Sequence, residues 1–297
     1  MKLFSPAYYQ KFTCIADRCR HSCCIGWEID LDKKTLRKYK KLGDGHILTS
    51  IDCDETPHFS LEKDERCPHL DENGLCRIIK VYGDGYLCDI CREHPRFYHD
   101  TVKGLEVGIG MACEEACRLI LTEDYTVTEI GKRPGRARTL RFDTLPMREK
   151  IYAFLSDATL SFSARLAKIA DVFSVTFQGE EAYALLFSSL EYMHEENRAR
   201  FAEALCLSVA VPEVLETYLS RALAYFVFRH VTAAKSEDDA SMAIGFSLLL
   251  ERLLCSLAVK ERALTVEAFS DLARTVSEEL EYSEENTERL KLSFLVP

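Results

Sequence analysis

Residues 14–27 read Cys-Ile-Ala-Asp-Arg-Cys-Arg-His-Ser-Cys-Cys-Ile-Gly-Trp, and how this stretch is read decides how the rest of the chain is read. It holds Cys14, Cys19 and the adjacent Cys23 and Cys24. Eleven of the 13 cysteines lie between Cys14 and Cys117; only Cys206 and Cys255 lie beyond. Such density belongs to disulfide scaffolds or to metal domains. Residues 2–11, Lys-Leu-Phe-Ser-Pro-Ala-Tyr-Tyr-Gln-Lys, lack the hydrophobic core of a signal peptide, so the expectation is a cytoplasmic chain with reduced thiols. An odd number of clustered thiols, two of them adjacent, suits a disulfide framework poorly. The sequence therefore points to metal or iron–sulfur ligation.

Three further groups extend the pattern. They are Cys67-Pro68-His69-Leu70-Asp71 with Cys76, then Cys88-x2-Cys91 followed by His94, Pro95 and Arg96, then Cys113 and Cys117. A single CxxC is weak; four groups within about a hundred residues are much stronger. Cys19 and Cys23 would share a face if their segment were helical, whereas Cys23 and Cys24 point apart in either regular structure. Four thiolates suit tetrahedral zinc and a four-iron cluster alike. Histidines 21, 58, 69, 94 and 99 widen the donor set, although each taken singly reads as a surface or supporting residue. The spacing Cys-x3-Cys-x2-Cys is broken by Gly26 after Cys23 and by Ile120 after Cys117. His-Glu-x-x-His and a dinucleotide fingerprint are absent from the sequence as well.

Composition sets the outer limits. At 297 residues, with 47% hydrophobic and 29% charged residues, the chain has material for two domains. A net charge of -10 argues against general binding of nucleic acid or anionic membrane. The apolar run Ala240–Leu250 is interrupted by two serines and a glycine and stops at Glu251-Arg252. That is well short of the roughly 20 residues of a membrane span.

The two halves differ in kind. The first expects short pieces: a lysine-rich helix over Leu31–Leu42 stopped by Gly43, another after Cys76 stopped by Gly83, a strand over Leu105–Ile109, and a helix over Cys113–Leu121. Little apolar surface is available there, so a metal would supply missing stability. The basic stretch Gly131–Arg141 (Lys132, Arg133, Arg136, Arg138, Arg141) reads as a solvated linker, or else as a strip for an acidic partner. From Pro146 onward the pattern is helical. Pro212 opens a helix with Leu215, Tyr218, Leu219, Ala222, Leu223 and Phe226 on one face, and His230 falls on that face as a core histidine. Ser236 caps a helix whose Ala240–Leu257 core is apolar on most sides and so should be central, and a last helix starts near Thr265. The fold class expected is mainly α: an irregular Cys-rich metal-binding N-terminal domain, 1–125, followed by an α-helical bundle domain, 142–297.

With these landmarks in place, the chain resembles the flagellin lysine N-methylase (FliB) family. The likeness is carried by Pro6-Ala7, Phe12, Cys14, Cys19, Cys23-Cys24, Gly26-Trp27, Ile29 and Leu31-Asp32. It continues through Cys67-Pro68-His69-Leu70-Asp71, Leu75-Cys76-Arg77, Cys91, Pro95-Arg96 and Cys113-Glu114, in one order over residues 6–121. A more distant likeness is to small zinc- or iron-chelating domains. The resemblance implies methyl transfer from S-adenosylmethionine to lysines of flagellin, together with a cysteine-bound iron–sulfur cluster, most simply 4Fe-4S, with zinc as the other candidate. It nominates Cys14, Cys19, Cys23, Cys24, Cys67, Cys76, Cys91 and Cys113 as metal ligands and leaves out Cys53, Cys88 and Cys117. Eight exceed the four sites of one cluster, so some must be structural.

Methylating a lysine requires its neutral amine, which a site provides by desolvation or with a base. Glu28, Asp30, Asp71, Glu114 and Tyr98 are available for that purpose, Trp27 for an apolar or cation–π wall, and Arg96 for a carboxylate; spacing singles out none of them. The other reading is a non-catalytic zinc- or iron–sulfur-binding structural or redox-sensing module.

Overall fold

Side-chain oxygens mark where many helices begin. Asp32, Asp44, Ser161, Ser236, Thr265 and Ser283 each accept a hydrogen bond from a backbone N–H in the first turn, satisfying donors that the helix itself leaves open. The computed structural model describes all residues except 55, 136–138 and 296–297. In chain order the elements begin β1 (Lys2–Pro6), β2 (Ile29–Asp30), α1 (Lys33–Leu42), α2 (Gly45–Thr49), β3 (Ile51–Asp52), β4 (His58–Phe59), α3 (Arg77–Tyr82) and α4 (Asp89–Glu93). Next come β5 (Arg96–Thr101), β6 (Gly104–Ile109), α5 (Glu114–Thr122), β7 (Val127–Lys132), α6 (Leu145–Leu155), α7 (Phe162–Val172) and α8 (Glu180–Ser188). The last are α9 (Glu196–Ala202), α10 (Glu213–Phe226), α11 (Glu237–Glu261), α12 (Val266–Leu280) and α13 (Glu284–Leu292).

The chain is mainly helical, as expected, but two small sheets accompany the helices. It divides into two compact units, Thr13–Phe97 and Met1–Phe12 with Tyr98–Pro297. The division expected near residue 125 is thus replaced by one that returns the first twelve residues to the helical unit. The reason lies in pairing: β1 lies parallel to β6 (Leu3 opposite Leu105) and antiparallel to β7 (Phe4 opposite Glu129), giving the order β5-β6-β1-β7. Gly104 permits this approach, since a Cβ there would stand 2.5 Å from the carbonyl oxygen of Lys2.

In the helical unit α11 is central. Its residues from Ala243 to Leu250 are all buried, and Glu251, wholly buried too, is held by Arg252 at 2.7 and 2.9 Å. It is long and apolar enough to cross a membrane by length and composition, with 83% of its most apolar window buried inside the fold. The apolar face expected on α10 is buried at Leu215, Leu219, Ala222, Leu223 and Phe226, with Tyr218 stacked on Phe269. Beyond Phe226 the backbone continues as a π-helical turn, Val227–Val231, which carries His230. A helix beyond the one at Thr265, α13, completes the unit.

Buried charges in this unit are paired. Arg148 grips both carboxylate oxygens of Glu106, one at 2.8 Å, and donates to Thr232 Oγ1 at 3.0 Å. His230 Nε2 lies 2.6 Å from Glu281 Oε1, and Arg229 Nε approaches the same oxygen at 3.5 Å. Met111 N–H and Arg229 Nη1 both donate to the Tyr225 hydroxyl, each at 3.0 Å. Burying these groups unpaired would be costly; paired, they fix β6, α6, α10 and α12 in one arrangement.

The basic stretch begins inside structure and not in a linker: Gly131 and Lys132 close β7, and Arg133 accepts a hydrogen bond from the N-terminal ammonium at 2.8 Å and lies over the Tyr98 ring at 4.7 Å. Arg136 and Arg138 lie outside the described residues.

Candidate metal centre

Within Thr13–Phe97 the regular elements are short, and their ties are specific. Asp44 Oδ1 caps α2 through His46 N and Ile47 N, at 2.8 and 3.3 Å. Its Oδ2 receives Tyr82 Oη at 2.5 Å and Arg77 Nη1 at 3.3 Å, tying α2 to α3. Tyr39 Oη donates to the Tyr86 carbonyl at 2.7 Å. The three-stranded sheet β2-β4-β3 sets Ile29 and Ile51 on either side of Phe59. Around Phe59 gather Ile29, Leu31, Tyr39, Ile47 and Ile78, a small apolar core.

Five thiols belong to that same core. Cys67 and Cys88 are buried in it, and Cys24, Cys76 and Cys91 pack against it half-buried. Backbone pairing brings them there from separate stretches of chain. Cys67 N–H donates to the Cys24 carbonyl at 2.8 Å beside an Ile25–Arg66 bridge, and a Leu70–Cys76 bridge closes the next turn. Cys76 and Cys88 stand immediately before α3 and α4, and Cys91 follows Cys88 by one turn of α4.

These surroundings act on the thiols in opposite senses. Cys24 is drawn down to about 7, chiefly by a hydrogen bond from the Cys23 thiol, with Ser22 and Arg66 assisting against burial. Cys88 is drawn down to about 7 by the Cys91 thiol, which in turn is pushed far up by that bond and by burial. Burial pushes Cys67 up to about 12 and raises Cys76. Two of the five therefore approach the thiolate form that metals require. Buried thiols of this kind suit soft metals, zinc or iron among them.

Of the eight cysteines nominated by sequence, the structure brings four together: Cys24, Cys67, Cys76 and Cys91. Cys14 and Cys23 are exposed, and Cys19 directs its thiol to the His21 carbonyl at 3.2 Å. Cys19 and Cys23 do not share a helical face, because the helical turn there is only Ala16–Arg18 and Cys19 already has extended backbone. Cys113 lies in the other compact unit, before α5, one turn from a buried Cys117 whose thiol reaches the Ser270 carbonyl at 3.3 Å. Cys88, left out by the motif, sits wholly buried in the core; its CxxC spacing was the signal available for it. Among the described residues no three His, Cys, Asp or Glu side chains are placed to hold a single ion.

The other nominated groups are placed as follows. Asp71 is engaged: its Oδ1 accepts from Asn73 N and Leu75 N, both at 2.9 Å, and Lys80 at 2.5 Å on Oδ2 holds the carboxyl below its ordinary value. Glu28 Oε1 meets His58 Nε2 at 3.1 Å, and with Asp30, Asp52, Asp54 and Thr56 they line an open depression of about 490 Å³. Trp27 packs against the apolar core, and Tyr98 and Glu114 fall in the other unit. His69 is buried between Phe59, 4.5 Å between ring centres, and Ser50, whose hydroxyl lies 3.1 Å from Nε2.

Comparison with known proteins places these features in context. The chain is 33% identical over 132 residues to the lysine-N-methylase of Salmonella typhimurium, a match covering 40% of this chain and 32% of that protein. The same figures hold for the lysine-N-methylase of Salmonella choleraesuis. It is 32% identical over 146 residues to the flagellar biosynthetic protein FliU of Salmonella muenchen, covering 45% of this chain and 84% of that one. The match thus spans about a third of the length of the two lysine-N-methylases. No protein-family profile and no solved structure matches.

Proposed function

The chain belongs to the FliB-like lysine N-methylase family, and on that premise we propose that it is a cytoplasmic protein-lysine N-methyltransferase. Its substrate is flagellin and its methyl donor S-adenosylmethionine. The observation that carries this reading is the match to proteins named lysine-N-methylase and FliU. The thiol core of Thr13–Phe97 supports the accompanying cofactor, an iron–sulfur cluster held by cysteines from Cys24 to Cys91. When bound, such a cluster supplies either a structural brace or a redox-sensitive centre to the unit around it.

In the transfer itself the lysine amine attacks the methyl carbon of the sulfonium, the carbon–sulfur bond breaks, and the thioether leaves. Before that, the ammonium must lose its proton. The carboxylates Glu28, Asp30, Asp52 and Asp54 concentrate negative charge at one depression, a field that draws a lysine side chain toward this unit.

The test is incubation of anaerobically purified full chain with flagellin and methyl-labelled donor, read by mass spectrometry of flagellin peptides. Label on lysine side chains is the expected result; none, from protein carrying its cluster, would sink the enzymatic reading. That second outcome would favour a non-catalytic metal-binding or redox-sensing module, a reading kept open by the match spanning only 32% of the lysine-N-methylases.

A further inference from the structure

We propose that the exposed face of α1 is a docking surface for an acidic segment of a partner protein. The inference depends neither on methyl transfer nor on a bound metal. Five cations make up that face, Lys33, Lys34, Arg37, Lys40 and Lys41, all of them exposed. At about 100° per residue they fall within an arc of about 120°. The opposite side holds buried Thr35 and Tyr39, with Leu36 and Leu42 packed against the core around Phe59. Lys38, at the edge of the arc, is already engaged: its Nζ donates to the Gly85 carbonyl and lies 3.9 Å from the centre of the Tyr86 ring. Among the described residues none of the five cations pairs with a carboxylate.

A charged helix face is ordinarily just solvated, but this one works against its own helix. Lys33 and Lys34 stand in the first turn, at the positive end of the helix dipole, and no acidic residue stands there with them. By contrast α5, α11, α12 and α13 all carry Glu or Asp in their first turns. Lys33 with Arg37, and Arg37 with Lys41, are like charges one turn apart, and each such pair destabilises a helix. The helix is held despite this by Asp32 and Gly43 at its ends and by the Tyr39 hydroxyl on the Tyr86 carbonyl at 2.7 Å. Charges that cost the fold stability and find no partner inside it point to a partner outside it.

The kind of partner follows from the surroundings. Ten helical residues span about 15 Å, the reach of about five residues of extended chain, so a short acidic run matches the five cations. Nucleic acid fits less well: Glu28 and Asp30, just before α1, line an open depression with Asp52 and Asp54, and their field opposes a phosphate backbone. An anionic membrane also fits less well, because the exposed face of α1 has no apolar side chain to enter it. A single phosphate at the helix N-terminus would find the Thr35 N–H already taken by Asp32 at 2.8 Å.

The experiment measures binding of a fluorescein-labelled oligoglutamate peptide to the full chain by fluorescence anisotropy, at low and high salt. Oligouridylate and phosphatidylserine–phosphatidylcholine vesicles serve as rival probes, and sedimentation reads self-association. Wild type is compared with Lys33→Glu/Lys34→Glu, with Arg37→Glu/Lys41→Glu, and with a control elsewhere, Lys132→Glu/Arg133→Glu. The expected result is salt-sensitive peptide binding that falls several-fold or more in both α1 variants and persists in the control. Lys33→Glu/Lys34→Glu should also unfold at a higher temperature than wild type, since it removes charges that oppose the helix. Absence of peptide binding by wild type, or equal binding by the α1 variants, would overturn the inference. Tighter binding of oligouridylate or vesicles, or a salt-sensitive dimer lost in the α1 variants, would overturn the assigned partner. A lowered unfolding temperature in Lys33→Glu/Lys34→Glu would show that these lysines serve the fold, and would overturn it too.

Discussion

Thr13–Phe97 and the helical unit hold their residues in place by different means. The helical unit has α11, 25 residues long and buried over most of its length, and around it paired charges such as Arg148 with Glu106. The cysteine-bearing unit has no helix longer than the ten residues of α1 among those described, and its strands are two residues each. Elements so short are marginal by themselves. What joins them is a small core around Phe59, a few side-chain ties through Asp44 and Tyr39, and five thiols. One unit is stabilised by burying apolar surface in bulk; the other leans on a few specific links, which a bound metal would reinforce.

The sharpest way to break this comparison is to load the protein with iron and sulfide, as the proposed function requires, and then remove the metal. Stripping reconstituted protein with a chelator should open Thr13–Phe97 and leave the helical unit folded. Limited proteolysis followed by mass spectrometry is expected to show cuts concentrated between residues 13 and 97, many-fold faster than in the loaded protein. Equal cutting in both states would mean that the small core alone suffices.

The next effect is confined to the helical unit. Glu106→Ala strands Arg148, 4% exposed, without its carboxylate. Leaving one partner of a buried pair uncompensated costs about 3–5 kcal/mol. Denaturant unfolding should register that loss while iron binding in the other unit is unchanged. A loss below about 1 kcal/mol would show that the site relaxes or admits water.

The smallest effect concerns acid. Burial holds His230 down to about 4, with Arg229 assisting and Glu281 opposing, and burial likewise holds His99 at about 3. Both lie below the ordinary 6.5, so the unfolded chain binds protons that the folded one refuses. Their contribution is whole above about 6.5 and is lost as pH falls from there toward 4, at up to about 1.4 kcal/mol per pH unit for each. Glu281 acts at lower pH, since Arg229 and His230 keep it charged below its ordinary value of 4.5 despite burial. Unfolding midpoints measured from pH 7 to pH 5 should fall, and His230→Gln should flatten the slope; an equal slope in the variant would place the proton uptake elsewhere.

Much of the architecture could be read along the chain because its causes are local. Asp32 and Gly43 bound α1, Gly83 stops α3, Pro212 opens α10, and Ser236 and Thr265 cap α11 and α12; each acts on a backbone group within a few residues. The all-round apolar character of α11 likewise announced its central place. The return of β1 to the far unit was not legible, because strand pairing depends on partners a hundred residues away. The clustering of cysteines along the chain was therefore set by sequence alone. Which thiols meet was decided by tertiary structure: Cys24, Cys67, Cys76, Cys88 and Cys91 share a core because bridges at Ile25–Arg66 and Leu70–Cys76 fold distant stretches together. Spacing along a chain constrains only near neighbours, and a metal shell is built from side chains that are neighbours in space.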